Sequence, residues 1–147
     1  MAVFNEYSLL TQVAIRSPLN SFLTDEKLSN EWQDLRFHSK PELKESINEF
    51  IEFRKLLLND EIKIIDLPQA KGLTIDSIYT RDSILISPKG LILCNMGRAS
   101  RTPEARDNYE HLKLQGYQIA GEILAPGTLE GGDFIWLSDT KAAVGLG

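Results

Sequence analysis

The sequence predicts an α/β fold built from a repeated hairpin, helix and strand unit with a period near 50 residues. Three observations lead there. Asp82-Ser83-Ile84-Leu85-Ile86-Ser87 aligns with Asp133-Phe134-Ile135-Trp136-Leu137-Ser138, 51 residues later, and Asn95-Met96-Gly97 aligns with Gly145-Leu146-Gly147 at an offset of 50. A helix and a strand lie between these copies. A strand, a helix and a second strand precede them as an earlier, partial copy. Internal periods of this length mark modules that bury their apolar faces against one another. Modules arranged around an axis bring corresponding strand ends toward a common centre.

Each element has its own signals. Gln12-Val13-Ala14-Ile15-Arg16 reads as a strand stopped by Ser17-Pro18. The stretch Asn20 to His38 is mixed, with Trp32 and Leu35 spaced as a short helix face. Ser39-Lys40-Pro41-Glu42 reads as a helix start, with a Ser cap, an early Pro and a Glu at the capping-box position. Leu43, Ile47, Phe50, Ile51, Leu57 and Leu58 follow at helical spacing, so one face packs on a core and the helix ends near Asn59. Glu61 to Leu67 is a buried strand closed by Pro68.

Ser83–Ser87 and Leu91–Cys94 flank the turn Pro88-Lys89-Gly90 as a hairpin. Thr102-Pro103-Glu104 opens a second helix, with Thr as its cap, running to about Gln115 and stopped by Gly116. Tyr117–Ala120 is a further strand. After the Ala125-Pro126-Gly127 loop, Phe134–Leu137 and Ala142–Val144 form the second hairpin around Ser138-Asp139-Thr140. That hairpin is followed at Gly147 by no helix or strand of its module. The expectation is that residues 1–147 are the N-terminal portion of one domain, completed by further sequence or by another chain.

Composition narrows the function. At 42% apolar and 25% charged residues the chain is globular in character. Its charge is 16 − 21 = −5, with no basic run and no aromatic-interleaved basic patch, which argues against a nucleic-acid surface. No apolar run approaches a membrane span and no signal-peptide pattern opens the chain. The one cysteine excludes an internal disulfide and fits a reducing cytoplasm. Two His and one Cys, far apart, give no zinc spacing, and neither a metal nor a cofactor is expected.

The chemistry concentrates at the mouths of the two hairpins. Thr128-Leu129-Glu130-Gly131-Gly132-Asp133 places two carboxylates around a glycine pair, where the backbone can turn sharply. Asp76-Ser77-Ile78-Tyr79-Thr80-Arg81-Asp82 precedes the equivalent hairpin. Acids at convergent strand ends suit a guanidinium, a planar cation with five donors in a fork. Other residues have plainer readings. Cys94 ends an apolar strand with nothing beside it to make a thiolate, so it reads as buried and structural. His38 and His111 have polar surroundings and read as surface residues. Asp133 suits a turn-bonding role, Asp76 is balanced between a turn and a ligand, and Arg81 suits a salt bridge to a neighbouring module.

These residues also resemble a known family. Val13-Ala14-Ile15-Arg16-Ser17-Pro18, Asp76 to Asp82, Asn95-Met96-Gly97 with Ser100-Arg101 and Glu104, and Pro126 to Asp133 occur in order as in the guanidino-group-modifying superfamily, the five-bladed α/β-propellers called penteins. Within it the chain is most similar to the dimethylargininase group and to amidinotransferases. The resemblance implies a partial five-bladed α/β-propeller, two to three ββαβ modules of the five. It implies that Asp82 and Glu130 grip the substrate guanidinium, with Glu130 also near the catalytic histidine. Asp76 would hold the amino-acid end of the substrate and Arg101 would pair with its α-carboxylate.

The implied activity is hydrolysis of arginine or an N-substituted arginine to citrulline. A cysteine nucleophile and a histidine acid–base would both lie in a C-terminal half of the same or a separate chain, so this portion alone is expected to be inactive. Amidino transfer to an amine, and a non-catalytic arginine-binding or assembly module, are the alternatives. A homo-oligomer is compatible with either. Two departures from the family pattern stand out. Thr102 follows Arg101 where relatives often have a second Arg, and Asn20 to Phe22 matches the family's lid region poorly.

Overall fold

Short apolar runs alternating with helical segments give two structural units in the computed structural model, which describes residues 8–145. One unit is Gln12–Tyr79 and the other holds the residues from Thr80 onward.

In the first unit, β1 (Gln12–Ile15) pairs in parallel with β2 (Lys63–Asp66), Val13 opposite Ile64 and Ile15 opposite Asp66. Three helices connect them: α1 (Pro18–Ser21), α2 (Asp25–Glu31) and α3 (Leu43–Asn59). Ser17 both ends β1 and caps α1, its side chain accepting the Asn20 N–H at 3.3 Å. Thr24 caps α2 in the same way, accepting the Lys27 N–H at 3.1 Å. The expected Trp32–Leu35 helix face does not form. Trp32 is the C-cap of α2 and Leu35 follows in a turn, and both pack against buried Phe22, Leu28 and Ile75.

Helix α3 starts later than its capping signals suggest. Its N-cap is Glu42, extended at φ −93° and ψ 116° and making no side-chain cap bond, while Ser39 lies in a bend three residues upstream. Pro41 disfavours helical backbone at Lys40, so the cap signal and the helix are separated. Phe50 and Leu57 face Ile15 and Ile62, whereas Ile51 and Leu58 point outward, so the apolar stripe is wider than the buried one.

The second unit contains the complete hairpin, helix and strand module. β3 (Ile84–Ser87) and β4 (Gly90–Leu93) are antiparallel, and β5 (Ile119–Glu122) lies parallel to β4 after the crossover helix α4 (Glu104–Leu114). Gly90 sits at φ +129°, and a Cβ there would come 2.5 Å from the Gln118 carbonyl oxygen, so close approach of β5 requires glycine. Thr102 does not cap α4. It closes a 3-10 turn, Ala99–Arg101, with its N–H on the Ala99 carbonyl, and the helix begins two residues on. Gly116, at φ +90°, ends α4 with its N–H on Lys113 and the Tyr117 N–H on Leu112. β5 accordingly starts at Ile119 rather than Tyr117.

A second hairpin, β6 (Phe134–Ser138) and β7 (Lys141–Val144), follows. Gly145 donates its N–H to the Asp133 carbonyl at 2.8 Å, while Leu146 and Gly147 of the repeat lie outside the described residues. Among the described residues no helix is long and apolar enough to cross a membrane.

Candidate functional site

The two hairpin mouths are built alike. A 3-10 turn, Thr80–Asp82, leads into β3, and another, Gly131–Asp133, leads into β6. The turns touch each other. Arg81 donates through Nη1 to the Gly131 carbonyl at 2.7 Å and through Nη2 to the Phe134 carbonyl at 3.2 Å. The expected link from Arg81 to the neighbouring module is therefore made through backbone carbonyls. A Cβ on Gly131 would lie 2.1 Å from the Arg81 carbonyl oxygen, so this contact tolerates only glycine.

Glu130 is held from two sides. Its Oε1 accepts the Gly97 N–H at 3.1 Å, and its own N–H donates to Asp133 Oδ2 at 3.1 Å. Asn95 fixes the preceding loop, donating from Nδ2 to the Gly127 carbonyl at 2.6 Å and accepting the Leu129 N–H on its own carbonyl at 3.0 Å. Asn95-Met96-Gly97 is thus the cradle of the Glu130 loop.

Asp82 is reached from the 3-10 turn that precedes α4. Arg101 Nη1 donates to Asp82 Oδ2 at 2.9 Å and lies 3.9 Å from Glu130 Oε2. Its Nε and Nη2 donate to the two oxygens of Glu104, both at 2.9 Å. Asn108, one turn further along α4, donates Nδ2 to Ser83 Oγ at 2.8 Å. Burial works against the Arg101 charge, but the hydrogen bonds and charges of Glu104 and then Asp82 outweigh it, so the guanidinium stays protonated well above its ordinary range. The Asp82 and Glu130 side chains remain 26% and 32% exposed, against 7% for Arg101 and 0% for Glu104.

Asp82, Glu130 and Arg101 of the expected site are therefore neighbours in one unit. Arg101 meets carboxylates of the protein on both edges of its guanidinium. Asp76 belongs to the other unit, where it is buried on the 3-10 turn Ile75–Ile78. Arg16, itself 1% exposed, steadies that turn by donating to the Ser77 carbonyl at 3.2 Å and to the Pro68 carbonyl at 3.0 Å.

Cys94 packs with Leu85 and Met96 under Phe134 and Leu129. Desolvation pushes its thiol up to about 11; the Leu85 backbone hydrogen bond opposes this, and the nearby Asp82, Glu130 and Asp133 charges add to it. Burial thus favours its neutral thiol form. Among the described residues no group of three His, Cys, Asp or Glu could hold a metal.

Glu104 and Asn108 escaped assignment as site residues. The signal for them exists: α4 buries Glu104, Ala105, Asn108 and Leu112 on one face, and two polar residues on an apolar stripe need partners.

This architecture has counterparts among solved structures. One is a dimethylarginine dimethylaminohydrolase adduct with S-methyl-L-thiocitrulline, at 22% identity and TM-score 0.72, covering 89% of this chain and 48% of that one. Another is the Pseudomonas aeruginosa protein complexed with citrulline, at 22% identity and TM-score 0.72, covering 90% and 49%. A third is the product-bound N-terminal domain of ArgZ, an arginine dihydrolase from cyanobacteria, at 15% identity and TM-score 0.67, covering 86% and 45%. All are pentein superfamily members, matched over their N-terminal part.

The chain shares the mixed α/β fold of the N-terminal part of these structures. It spans about half the length of these pentein structures. No family model and no curated protein matches its sequence.

Proposed function

We propose that this chain is the guanidinium-gripping part of a hydrolase that converts arginine or an N-substituted arginine to citrulline. One observation carries the reading: Asp82 and Glu130, at equivalent mouths of successive modules, face the same Arg101 Nη1 edge while remaining partly open to solvent. Paired carboxylates match the forked donors of a guanidinium and keep it charged. The proteins of similar fold are named for dimethylarginine and arginine, and one holds citrulline, which supports the substrate class.

In this reading Asp82 and Glu130 orient the guanidinium while a cysteine thiolate adds to its carbon. The amine departs with a proton from a histidine, breaking the C–N bond. Water then loses one proton to the histidine and adds to the thiouronium carbon; the C–S bond breaks, a second proton passes to the released amine, and the thiolate returns with a ureido product. Cys94, held as a thiol with a pKa of about 11, cannot fill the nucleophile's role. Nucleophile and histidine would come from a C-terminal half that completes a five-bladed α/β-propeller, in the same or a separate chain.

Asp76 would hold the amino-acid end of the substrate. A contact from Arg101 to an α-carboxylate would have to come from its Nη1 edge, because Glu104 occupies Nε and Nη2.

The test is citrulline release by the full-length protein, or by the two halves mixed, from arginine and methylated arginines. Release from any of them is the expected result, and none from all of them overturns the reading. Product that forms only when an acceptor amine is supplied would replace hydrolysis with amidino transfer.

A further inference from the structure

Asp82, one of the two carboxylates on which the proposed function relies, has its side chain held from outside its own turn. Asp82 ends a short 3-10 turn, and its side-chain partner Arg101 is fixed by Glu104 from the first turn of α4. Glu104 is fully buried and meets Arg101 through two bonds of 2.9 Å each. A buried carboxylate is costly unless paired, so Glu104 and Arg101 form a unit that removing either member would break.

The orientation matters as much as the pairing. Glu104 takes the Nε–Nη2 edge of the guanidinium, which leaves Nη1 to meet Asp82 at 2.9 Å and to approach Glu130 at 3.9 Å. Without Glu104, that two-donor edge could turn onto Asp82 and form the bidentate pair that arginine and carboxylates favour. An Asp82 so occupied would be closed to an incoming guanidinium. With Glu104 in place the four groups carry 1 − 3 = −2, a surplus suited to a cation.

A second bond from the same helix face supports the placement. Asn108, four residues after Glu104 and 1% exposed, donates to Ser83 Oγ at 2.8 Å, and Ser83 Oγ donates to the Thr80 carbonyl at 3.2 Å. The residue after Asp82 and the start of its turn are therefore tied to α4 as well.

We propose that Glu104 is a positioning residue for guanidinium recognition: by occupying one edge of Arg101 it keeps Asp82 singly bonded, oriented and available to a cationic ligand. Asn108 serves the same end through Ser83. This rests on the guanidine-hydrolase reading above and adds a determinant of its specificity.

The experiment is steady-state kinetics of the full-length protein with the arginine derivative it turns over, comparing wild type with Glu104→Gln, Glu104→Asp and Asn108→Ala. Glu104→Gln keeps the shape and removes the charge. Its KM is expected to rise about tenfold, the scale of one charge-assisted hydrogen bond, with kcat changed about threefold or less. Glu104→Asp, which keeps the charge, is expected to recover part of the KM. A purely structural Glu104 would lower the yield of folded enzyme and leave the KM of the folded fraction where it was. Should Glu104→Gln fail to fold, Asn108→Ala takes its place, with KM expected to rise about threefold.

A wild-type KM in whichever of these two variants folds overturns this inference and leaves the hydrolase reading standing. A wild-type enzyme that releases no citrulline from any guanidine overturns both.

Discussion

The turns Thr80–Asp82 and Gly131–Asp133 occupy the same place in successive modules, yet their side chains do opposite things. Asp82 reaches outward to Arg101, while its repeat counterpart Asp133 turns back to the Glu130 N–H. The open carboxylate of the second mouth is Glu130, three residues earlier, at the repeat position that Tyr79 holds in the first. The first mouth supplies a cation, Arg81, and the second answers with glycines. The first is backed by α4, while β6 and β7 expose most of their residues. Repetition has conserved the backbone path, a 3-10 turn into a hairpin, and left the chemistry to be assigned afresh at each copy.

The contrast breaks most visibly at the glycine pair. In Gly131→Ala the new Cβ would lie 2.1 Å from a backbone oxygen of Arg81, which no rotamer can relieve. A loss of about 3 kcal/mol in denaturant unfolding is expected, at the upper end of overpacking. Gly132, with nothing within 4 Å of its Cβ position, should accept alanine within about 0.5 kcal/mol. Equal losses at both positions would mean that the two turns do not meet at Gly131.

The repeat-equivalent acids come next. Asp82→Asn removes a charge facing Arg101 and the proposed ligand, and the KM for a guanidine substrate should rise about 10- to 100-fold. Asp133→Asn keeps an amide oxygen that can still accept the Glu130 N–H, so its KM should rise about threefold at most. Matching effects would place both aspartates at the ligand and erase the division of labour between them.

How much of this was legible follows from what each signal depends on. The 51-residue repeat and the hairpin–helix–strand order are carried by apolar runs and glycines, which act locally, and β3, β4, α4 and β5 formed where those signals lay. Cap residues misled where neighbours competed: Pro41 delayed α3 past Ser39, and the 3-10 turn took Thr102 from α4. Conversely, Ser17 and Thr24 are caps of helices too short for a periodic pattern to show. Asp82 and Glu130 could be picked out as candidates from their motifs, and Arg101 from the family resemblance. Their mutual geometry could not, because the bonds from Arg101 to Asp82 and from Gly97 to Glu130 span 19 and 33 residues. Such contacts depend on how the modules stack, which no local pattern encodes.

The second arms of the two hairpins give the finest version of the comparison. Cys94 is 4% exposed, while its repeat counterpart Val144 is 50% exposed. Val144→Thr should therefore change stability by about 0.5 kcal/mol or less. At Cys94 the environment is measurable without mutation. Its thiol is raised from 9.0 to about 11, chiefly by burial, so at pH 8 it should carry about 100-fold less thiolate than an exposed cysteine and react with iodoacetamide correspondingly slowly. The pH dependence of stability has a definite sign. The folded state keeps this proton to higher pH than the unfolded chain does, so nothing is lost below pH 9.0, and stability declines as pH rises from there toward about 11. The decline should vanish in Cys94→Ala. Rapid alkylation at pH 8, at the rate of an unfolded control, would show that the first hairpin is as open at its end as the second.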